Sequence, residues 1–443
     1  MSRVTFIAPE SNAGQVVSTS RVPDIATIMS NTKYALRPER VPTDMGPKRG
    51  ISSKSGGKGR MGRGAGMGAV AQDYFLIGSD RHPKLPGNFA FEMEICQPGS
   101  GVAWSTTPVW HILRSRYALD TAAITSDTVT GVSTIRLTPA TPASWQTGDL
   151  GVCRLNARDY AFQVTGRTGN DILINPGLPS VVAGGTTVRL CHRLYVKPGS
   201  EGQTFTIIDH GVGILWLGTH CRLGSHSFKM DPGNGRLILA GDITVGCWVR
   251  NHAAANPYTA LGASPVGGPA LMGNLEWRID DDYYGPDSGG GLTVAPWSAA
   301  SIEAFDHESL EITIDAPLEV VASGRDPTGV CAIKGGDMNA AWMAPMCTYD
   351  SQFNADPGRE ALRTHAVCAG PMVGAGTGVV FFMGSAQVDP ATVPDATEPT
   401  TTREKQTLKF LSTTYGQPVD ESPGVGSATA DAALCHWQIG LVQ

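Results

Sequence analysis

The sequence predicts a mainly β protein with few helices. Glycine and proline are abundant, with 54 and 30 residues among 443, and these turn formers separate many short apolar runs. Several runs alternate apolar and polar residues, which is typical of a strand with one buried face. The clearest is residues 89–95, FAFEMEI, where Glu92 and Glu94 lie on the polar face. A chain of this length can form two or three domains.

One short helix is predicted after this strand. A glycine-rich turn at 98–101 ends the strand. Thr107 then stands directly before Pro108, the usual arrangement of a helix N-cap followed by proline at the first helical position. Apolar residues recur at helical spacing and predict one buried face. They are Val109, Ile112, Leu113 and Tyr117.

The sequence pattern of residues 122–194 differs from that of the rest of the chain and predicts a small inserted β-barrel. Turn-forming sequences separate short strand-like runs there. The runs are residues 134–137, 151–155, 160–165, 172–174 and 187–190. Because an inserted domain returns the chain to the point where it left, we expect the ends of the insert to lie close together.

The remaining strands are predicted on both sides of the insert. They form two hairpins at 204–217 and 225–249, alternating runs at 275–280 and 310–315, a run buried on both faces at 379–383, and a final apolar stretch at 434–442. The predicted division is a flexible N-terminal arm at 1–72, a discontinuous β domain at 73–121 and 195–385, the barrel domain at 122–194, and a linker with a C-terminal strand or arm at 386–443.

The charge and the cysteines disfavour several classes of protein. A net charge of −6 disfavours a sequence-independent DNA-binding protein, because such proteins need a basic surface. The nine cysteines show no CxxC spacing, so free buried thiols made in a reducing compartment are expected. No signal peptide is apparent and no apolar run reaches ~20 residues, so we expect synthesis in the cytoplasm and no membrane partner.

A basic, glycine-rich segment at 48–63 has six Lys or Arg residues and no acid. The simplest interpretation is a solvated arm. An arm that binds an acidic neighbour or nucleic acid is the alternative. A phosphate-binding loop is excluded, because the segment contains no Walker A sequence.

Two groups of side chains have the chemistry of metal ligands, but neither has a recognised spacing. The first comprises His210, His220, Cys221 and His226, and the second Asp280, Asp281, Asp282 and Asp287. Adjacent strand residues point to opposite sides, and the acidic group lacks the order of an EF-hand. Half-buried polar residues and an acidic loop are therefore preferred. No nucleophile elbow or HExxH motif occurs, so we predict no catalytic, cofactor or metal site, and a protein that is not an enzyme.

Several segments together resemble the phage tail tube proteins, the major tail proteins of long, non-contractile, siphovirus-like tails. The first is the strand FAFEMEI with the Gly-Ser-Gly turn and the helix PVWHILRSRYAL that follow it. The second, residues 204–246, resembles the family's succession of strands, turn and glycine hairpin. Residues 275–316 and 337–383 resemble the late strands, and the insert at 122–194 resembles small barrels that decorate the outside of some tube subunits.

The resemblance implies a β-sandwich flanked by one α-helix and a structural role in the virion. Six subunits would form a ring, and rings would stack head to tail into a tube whose lumen conducts phage DNA during ejection without sequence-specific binding. The implied partners are other copies of the chain, the tape measure protein and other tail proteins. Because cationic contacts hold phosphates, a negative lumen lets DNA slide, and we expect Glu92 or Glu94 to face it.

Two other functions stay open at this point. One is a virion β-sandwich binding module, such as an adhesin or a baseplate or tail-terminator component, whose inserted domain binds a receptor or glycan. An aromatic content of 7% with no aromatic cluster disfavours a sugar platform. The other is a hydrolase on a β scaffold, which the absence of nucleophile and metal motifs from the sequence disfavours.

Overall fold

The computed structural model describes residues 4–10, 25–36, 38–40, 87–99, 101–156, 158–195, 202–211, 214–231, 236–251, 258–262, 276–280, 284–286, 292–294, 302–304, 310–322, 330–335, 338–346, 363–369, 377–388, 406–412 and 437–443. The strands among them are β1 Val4–Pro9, β2 Tyr34–Leu36, β3 Pro38–Arg40, β4 Gly87–Glu94, β5 Ala118–Thr121, β6 Ser126–Ser133, β7 Arg136–Pro139, β8 Leu150–Leu155, β9 Arg158–Thr168, β10 Asp171–Asn175, β11 Thr186–Tyr195, β12 Phe205–Gly211, β13 Ile214–Asp231, β14 Arg236–Val245, β15 Cys247–Asn251, β16 Glu276–Asp280, β17 Tyr284–Pro286, β18 Leu292–Val294, β19 Ile302–Ala304, β20 Leu310–Asp315, β21 Leu318–Ala322, β22 Val330–Gly335, β23 Asn339–Met346, β24 Arg363–Ala369, β25 Val379–Val388, β26 Gln406–Ser412 and β27 Gln438–Val442. The helices are α1 Ile25–Ser30 and α2 Pro108–Arg114, with 3-10 turns at Trp104–Thr106 and Pro142–Ser144. The prediction of a mainly β protein is confirmed.

Residues 126–195 contain a closed six-stranded β-barrel. Its strands pair antiparallel in the order β6–β7–β10–β9–β8–β11, and β11 pairs back with β6. The prediction of a small β-barrel is therefore confirmed. The strand-like runs in the sequence missed β6, because its sequence SDTVTGVS is rich in hydroxyl side chains and buries one apolar side chain, Val129. The domain boundaries given above stay a prediction.

A buried carboxylate organises part of the barrel. Asp127 accepts hydrogen bonds from the Thr128 N–H at 2.8 Å, from the Thr141 N–H at 3.0 Å and hydroxyl at 2.7 Å, and from the Trp145 indole at 2.9 Å. Burial raises the pKa of Asp127, but these hydrogen bonds outweigh burial, and the pKa lies below its usual value. The barrel also has its own apolar cluster, in which Trp145 stacks on Phe162.

Most of the remaining strands form a curled sheet. Its strands pair in the order β3–β4–β14–β13–β20–β23–β26–β25–β27–β11–β5. Strand β24 pairs with β25 and β16, and β16 pairs with β19, while β17–β18 and β21–β22 form separate hairpins. Both predicted hairpins are present, and the run at 379–383 is buried throughout.

A ribbon of strands extends this sheet from the first half of β13. That half pairs with β12 and β15, β12 pairs with β1, and β1 pairs with β2. Residues 4–9 and 34–36, expected to belong to a flexible arm, are therefore strands. Successive side chains of β1 are buried on opposite sides of the strand, which stabilises it. Phe6 packs in a small cluster with residues of α1, while Ile7 joins the main core. The basic segment 48–63 lies outside the described residues.

The C-terminal region also differs from its prediction. Residues 386–388, expected to begin a linker, continue β25, and β26 pairs with both β23 and β25. Strand β26 was not predicted, because the sequence before it is rich in proline and threonine. The final apolar stretch is a strand as expected, and all five residues of β27 are buried.

Helix α2 packs against the curled sheet and begins as predicted. The hydroxyl of Thr107 accepts the Trp110 N–H at 3.3 Å and donates to the Trp104 carbonyl at 2.8 Å. The four apolar residues that predicted one buried face are all buried in the main core. The helix ends at Arg114, so Tyr117 lies beyond it and not on its face. Because α2 links β4 to β5, it connects strands near the two ends of the sheet.

The barrel is held to the curled sheet by β11 and by a buried ion pair. Strand β11 pairs with barrel strands up to residue 190, and with β5 and β27 beyond it. At the crossing Arg193, only 1% exposed, pairs with Asp120 of β5 and lies 3.4 Å from Asp149 of the barrel. Burial raises the pKa of Asp149, and Arg193 opposes that shift. One buried cation therefore connects the two regions.

Candidate functional site: an acidic sheet face

Four neighbouring strands of the curled sheet present one broad face to solvent. The register places Glu94, Ile238, Lys229 and Glu311 in one row across β4, β14, β13 and β20. The next row holds Glu92, Ala240, Ser227 and Thr313. Intervening residues such as Phe91, Leu239 and Phe228 lie in the core. Because side chains alternate across a strand, these two rows share the outer face. We call it the acidic face.

The acidic face carries more negative than positive groups. Its carboxylates belong to Glu92, Glu94, Asp242, Glu311 and Asp315, and its cations belong to Lys229 and Arg236. Arg236 pairs with Glu94, and Lys229 lies 3.4 Å from Glu311. Both pairs are solvent-accessible, so each contributes at most about 1 kcal/mol. Among the residues whose side chains the structure describes, neither Glu92 nor Asp242 forms an ion pair. The register places Arg40 of β3 opposite Glu92.

Short side chains fill the space between these charges. They are Ala90, Ala240, Ser227 and Thr313. At the end of β20, the Ser225 hydroxyl donates to Asp315 at 3.0 Å and accepts the Ala316 N–H at 3.1 Å. A surface with an excess of carboxylates repels phosphate groups and does not hold them.

Glu92 and Glu94 both lie on the acidic face, where alternation in the sequence placed them together. The structure adds a partner that the sequence did not indicate, since Arg236 is 142 residues away from Glu94 in the chain. The other carboxylates of the face could not be found from the sequence either, because their position depends on the register between distant strands. That Glu92 or Glu94 faces a channel stays a prediction.

Strand β4 forms one border of the acidic face, and the described strands cover only part of its outer edge. Strand β3 pairs with β4 only at Met93 and Glu92. Among the described strands, residues 87–91 of β4 therefore have no partner on that side. Unpaired backbone groups at a sheet edge favour pairing with another strand. This edge is suited to contact with another chain.

The fold separates the histidine group that was considered, but not preferred, as a set of metal ligands. In the part of the chain that the structure describes, no three His, Cys, Asp or Glu side chains form a metal-binding group. The Nδ1 of His226 donates to the Gly224 carbonyl at 2.8 Å, since a carbonyl only accepts. Its Nε2 then accepts the Tyr117 hydroxyl at 2.8 Å, which accepts the Trp437 indole at 3.1 Å. Burial lowers the pKa of His226 to about 4.

The other members of that group have separate surroundings. The Sγ of Cys221 lies 3.3 Å from the Gly218 carbonyl, and His210 contacts the Tyr258 hydroxyl at 3.3 Å. His220 adopts a left-handed backbone conformation with φ 56°. Of the acidic group, only the backbone of Asp280 is described, and the other three positions, Asp281, Asp282 and Asp287, lie outside the described residues.

Sequence reasoning missed a buried carboxylate that anchors the N-terminal strand. Glu10 is 3% exposed, and it accepts hydrogen bonds from the Thr204 hydroxyl, from the Thr206 hydroxyl at 2.8 Å and from the His220 N–H at 3.0 Å. These donors are about two hundred residues away along the chain. No local signal in the sequence could have indicated them.

Comparisons with known proteins add no family to this description. No protein-family model matches the chain, and no curated protein is significantly similar to it. None of the described helices is long and apolar enough to cross a membrane. The features that bear on function are the acidic face and the part of the β4 edge that no described strand covers.

Proposed function

We propose that this protein is a structural, non-enzymatic subunit of a phage tail tube. Copies of the chain form hexameric rings in the virion, and the rings stack into the tube of a long, non-contractile tail. Phage DNA passes through the lumen during ejection without sequence-specific binding. The tape measure protein and other tail proteins are the remaining partners. The observation that carries this proposal is the acidic face.

The acidic face has the chemistry that a DNA conduit needs. Cationic side chains hold phosphates by releasing their counterions, so a surface with excess carboxylates does not retain a duplex. Neighbouring strands lie about 4.8 Å apart, so four strands from each of six copies line a circumference of about 115 Å. The corresponding diameter, about 37 Å between opposite backbones, is wider than a DNA duplex.

The curled sheet with α2 then corresponds to the β-sandwich and flanking helix of the tail-tube fold. In the ring, the part of the β4 edge that no described strand covers contacts the next subunit, because an unpaired sheet edge favours pairing with another chain. Head-to-tail contacts between rings are heterologous and generate an open tube. The barrel decorates the outside of that tube.

Electron microscopy of the negatively stained, purified chain tests the assembly. We expect rings or tubes at high protein concentration. Monodisperse monomers at every concentration would refute the proposal.

A lysine placed on the acidic face tests its role in conducting DNA. Thr313→Lys adds six cations to each ring of the lumen, so we expect tubes that release DNA several-fold more slowly at low salt, because lysine retains phosphates. Thr187→Lys is the matched control, because it adds the same charge at an exposed threonine of the barrel. In vitro DNA ejection from virions measures the rate. Release at the wild-type rate from the Thr313→Lys tube would show that this face does not line the lumen.

A second function is favoured by one observation on the barrel. Val132 and Val181 are 52% and 57% exposed. The two valines lie on adjacent segments, because the N–H of Gly131 donates a hydrogen bond to the Val182 carbonyl at 3.0 Å. Adjacent exposed apolar side chains favour a contact site, as expected of a virion binding module whose barrel binds a receptor or glycan. If the double variant Val132→Ser, Val181→Ser assembles normally but adsorbs less to host cells, the barrel binds the host. Unchanged adsorption argues against this function.

A further inference from the structure

The last strand of the chain lies inside the curled sheet and not at its edge. Strand β27 pairs with β11 on one side and with β25 on the other. Without it, the order of the sheet is broken between β25 and β11, the strand that leads out of the barrel. The terminal segment 437–443 therefore fills a slot that distant parts of the chain build. We call it the β11–β25 slot.

The terminal segment is held on both of its faces. The Trp437 indole stacks on Phe381, with ring centroids 6.0 Å apart. Ile439 and Leu441 join the main core, whereas Val442 joins a separate cluster between the sheet and the barrel. The slot thus binds this segment as a groove binds an extended peptide, through main-chain pairing and alternating side chains.

The slot is narrow at Gly440. A Cβ at this position would lie 3.1 Å from the Cβ atoms of both Cys191 and Val380, closer than ordinary contact, so the position favours glycine. At the far end of the slot, the Trp104 indole donates to the Val442 carbonyl at 3.0 Å. These contacts match the slot to the sequence of the chain's own C-terminus.

Strands β26 and β27 lie end to end along the same edge of β25. Ala386 of β25 pairs with Ser412, and Phe382 pairs with Gln438, while β24 occupies the opposite edge. Four residues of a strand span about 13 Å, so a link of about five residues would connect β26 directly to β27. The chain instead places 24 residues, 413–436, between Ser412 and the terminal segment, and they reach about 80 Å at full extension.

We propose that, in the assembled protein, the β11–β25 slot holds the C-terminal strand of a second copy of this chain. Closed and exchanged forms make the same contacts in the slot, so they differ mainly in the linking segment and in the local concentration of the neighbour's strand. The surplus of chain before Trp437 lets β27 reach an adjacent subunit. The proposal rests on the self-assembly proposed above, and it assigns one contact between neighbouring subunits.

Disulfide trapping between two distinguishable chains tests the exchange. Val442 is the register partner of Cys191, so Val442→Cys places a thiol across adjacent strands, within disulfide range. A tagged chain carries Cys191→Ala and Val442→Cys, and an untagged chain keeps Cys191 and Val442. Both chains carry Cys435→Ser. Neither chain can form this bond alone, so a mixed dimer reports the tagged strand in the untagged slot.

We expect the mixed covalent dimer after the two chains assemble together, and none from monomers kept dilute. The single variant Val442→Cys, which retains Cys191, shows that the bond can form. If it does not form, His192→Cys with Leu441→Cys replaces it, because these residues are also register partners. Thr128→Cys and Thr187→Cys, register partners inside the barrel, are divided between the two chains as a control that gives no dimer.

The outcomes separate the exchange from the tube. Rings without a mixed dimer overturn the exchange and leave the tube proposal intact. A mixed dimer without rings or tubes supports the exchange and refutes the tube. If neither rings nor a mixed dimer form while the single variant bonds within one chain, both proposals fail.

Discussion

The barrel and the curled sheet each surround a buried core, but they are completed by chain segments of very different separation. The barrel uses residues 126–195 alone, and each of its six strands has a partner on both sides within that range. The curled sheet needs β3 near one end of the chain and β27 at the other. Contacts between close segments form early in folding, whereas a sheet completed by its termini depends on the whole chain. The two regions should therefore respond differently to the same kind of substitution.

The largest contrast is expected from one tryptophan in each region. Trp437 and Trp145 are fully buried, and replacing either with alanine costs about 3–5 kcal/mol of unfolding free energy through lost burial and a cavity. We expect Trp145→Ala to lower amide protection in the barrel alone. Trp437→Ala should loosen β25, β27 and β11 and leave the rest of the barrel protected. Hydrogen exchange measured by mass spectrometry tests this, and equal loss of barrel protection in both variants would contradict the comparison.

Arg193→Met acts on the junction between the regions. It leaves the buried Asp149 without its cation, which costs about 3–5 kcal/mol. Arg136→Met is the matched control, because it breaks a 2.7 Å pair with Asp171 at a side chain that is 38% exposed, and it costs at most about 1 kcal/mol. Urea unfolding at pH 7 measures both variants. If Arg193→Met lowers the free energy of unfolding no more than Arg136→Met does, the apolar contacts alone hold the barrel in place.

Between pH 6.5 and pH 4, acid should affect the curled sheet through the buried His226, whereas residues 122–191, which include most of the barrel, contain no histidine. Burial lowers the pKa of His226 from 6.5 to about 4. Between these values the unfolded chain binds more protons, so the stabilisation is fully present above pH 6.5 and is lost as the pH falls toward 4. The pKa difference corresponds to about 3 kcal/mol.

His226→Gln tests this pH dependence. A glutamine amide can donate to Gly224 and accept from Tyr117, as the neutral ring does. We expect the variant to lose less stability than the wild type between pH 7 and pH 4, measured by chemical denaturation at both values. The same loss in both proteins would assign the acid sensitivity to other groups.

The smallest effect is expected at the start of α2. Thr107→Ala removes the N-cap that accepts the Trp110 N–H, and it costs about 1 kcal/mol. Thr107→Ser keeps the hydroxyl and should retain most of the stability. Thermal unfolding measures both variants. Because α2 packs in the core of the curled sheet, protection of the barrel amides should not change, and a change there would show that the regions are coupled.

The barrel, α2 and the hairpins could be predicted because their signals are local. Turns recur at short intervals in the barrel, and Thr107 stands directly before Pro108. For the candidate site, alternation placed Glu92 and Glu94 on one face. Asp242 and Asp315 joined them only through the register of β14 and β20. The strands β1 and β26 were missed because both belong to segments interrupted by prolines, which predict an arm or a linker.

The sequence by itself determined many of the strands of this protein and which of their faces are apolar, because both follow from the period of two. Only the tertiary structure decided where the ends of the chain lie. Glu10 meets its donors and Gly440 meets Cys191 and Val380 only after distant strands have paired. Many apolar strands of similar length can pair with one another, so hydrogen-bond partners and close packing in the folded chain select the actual neighbours.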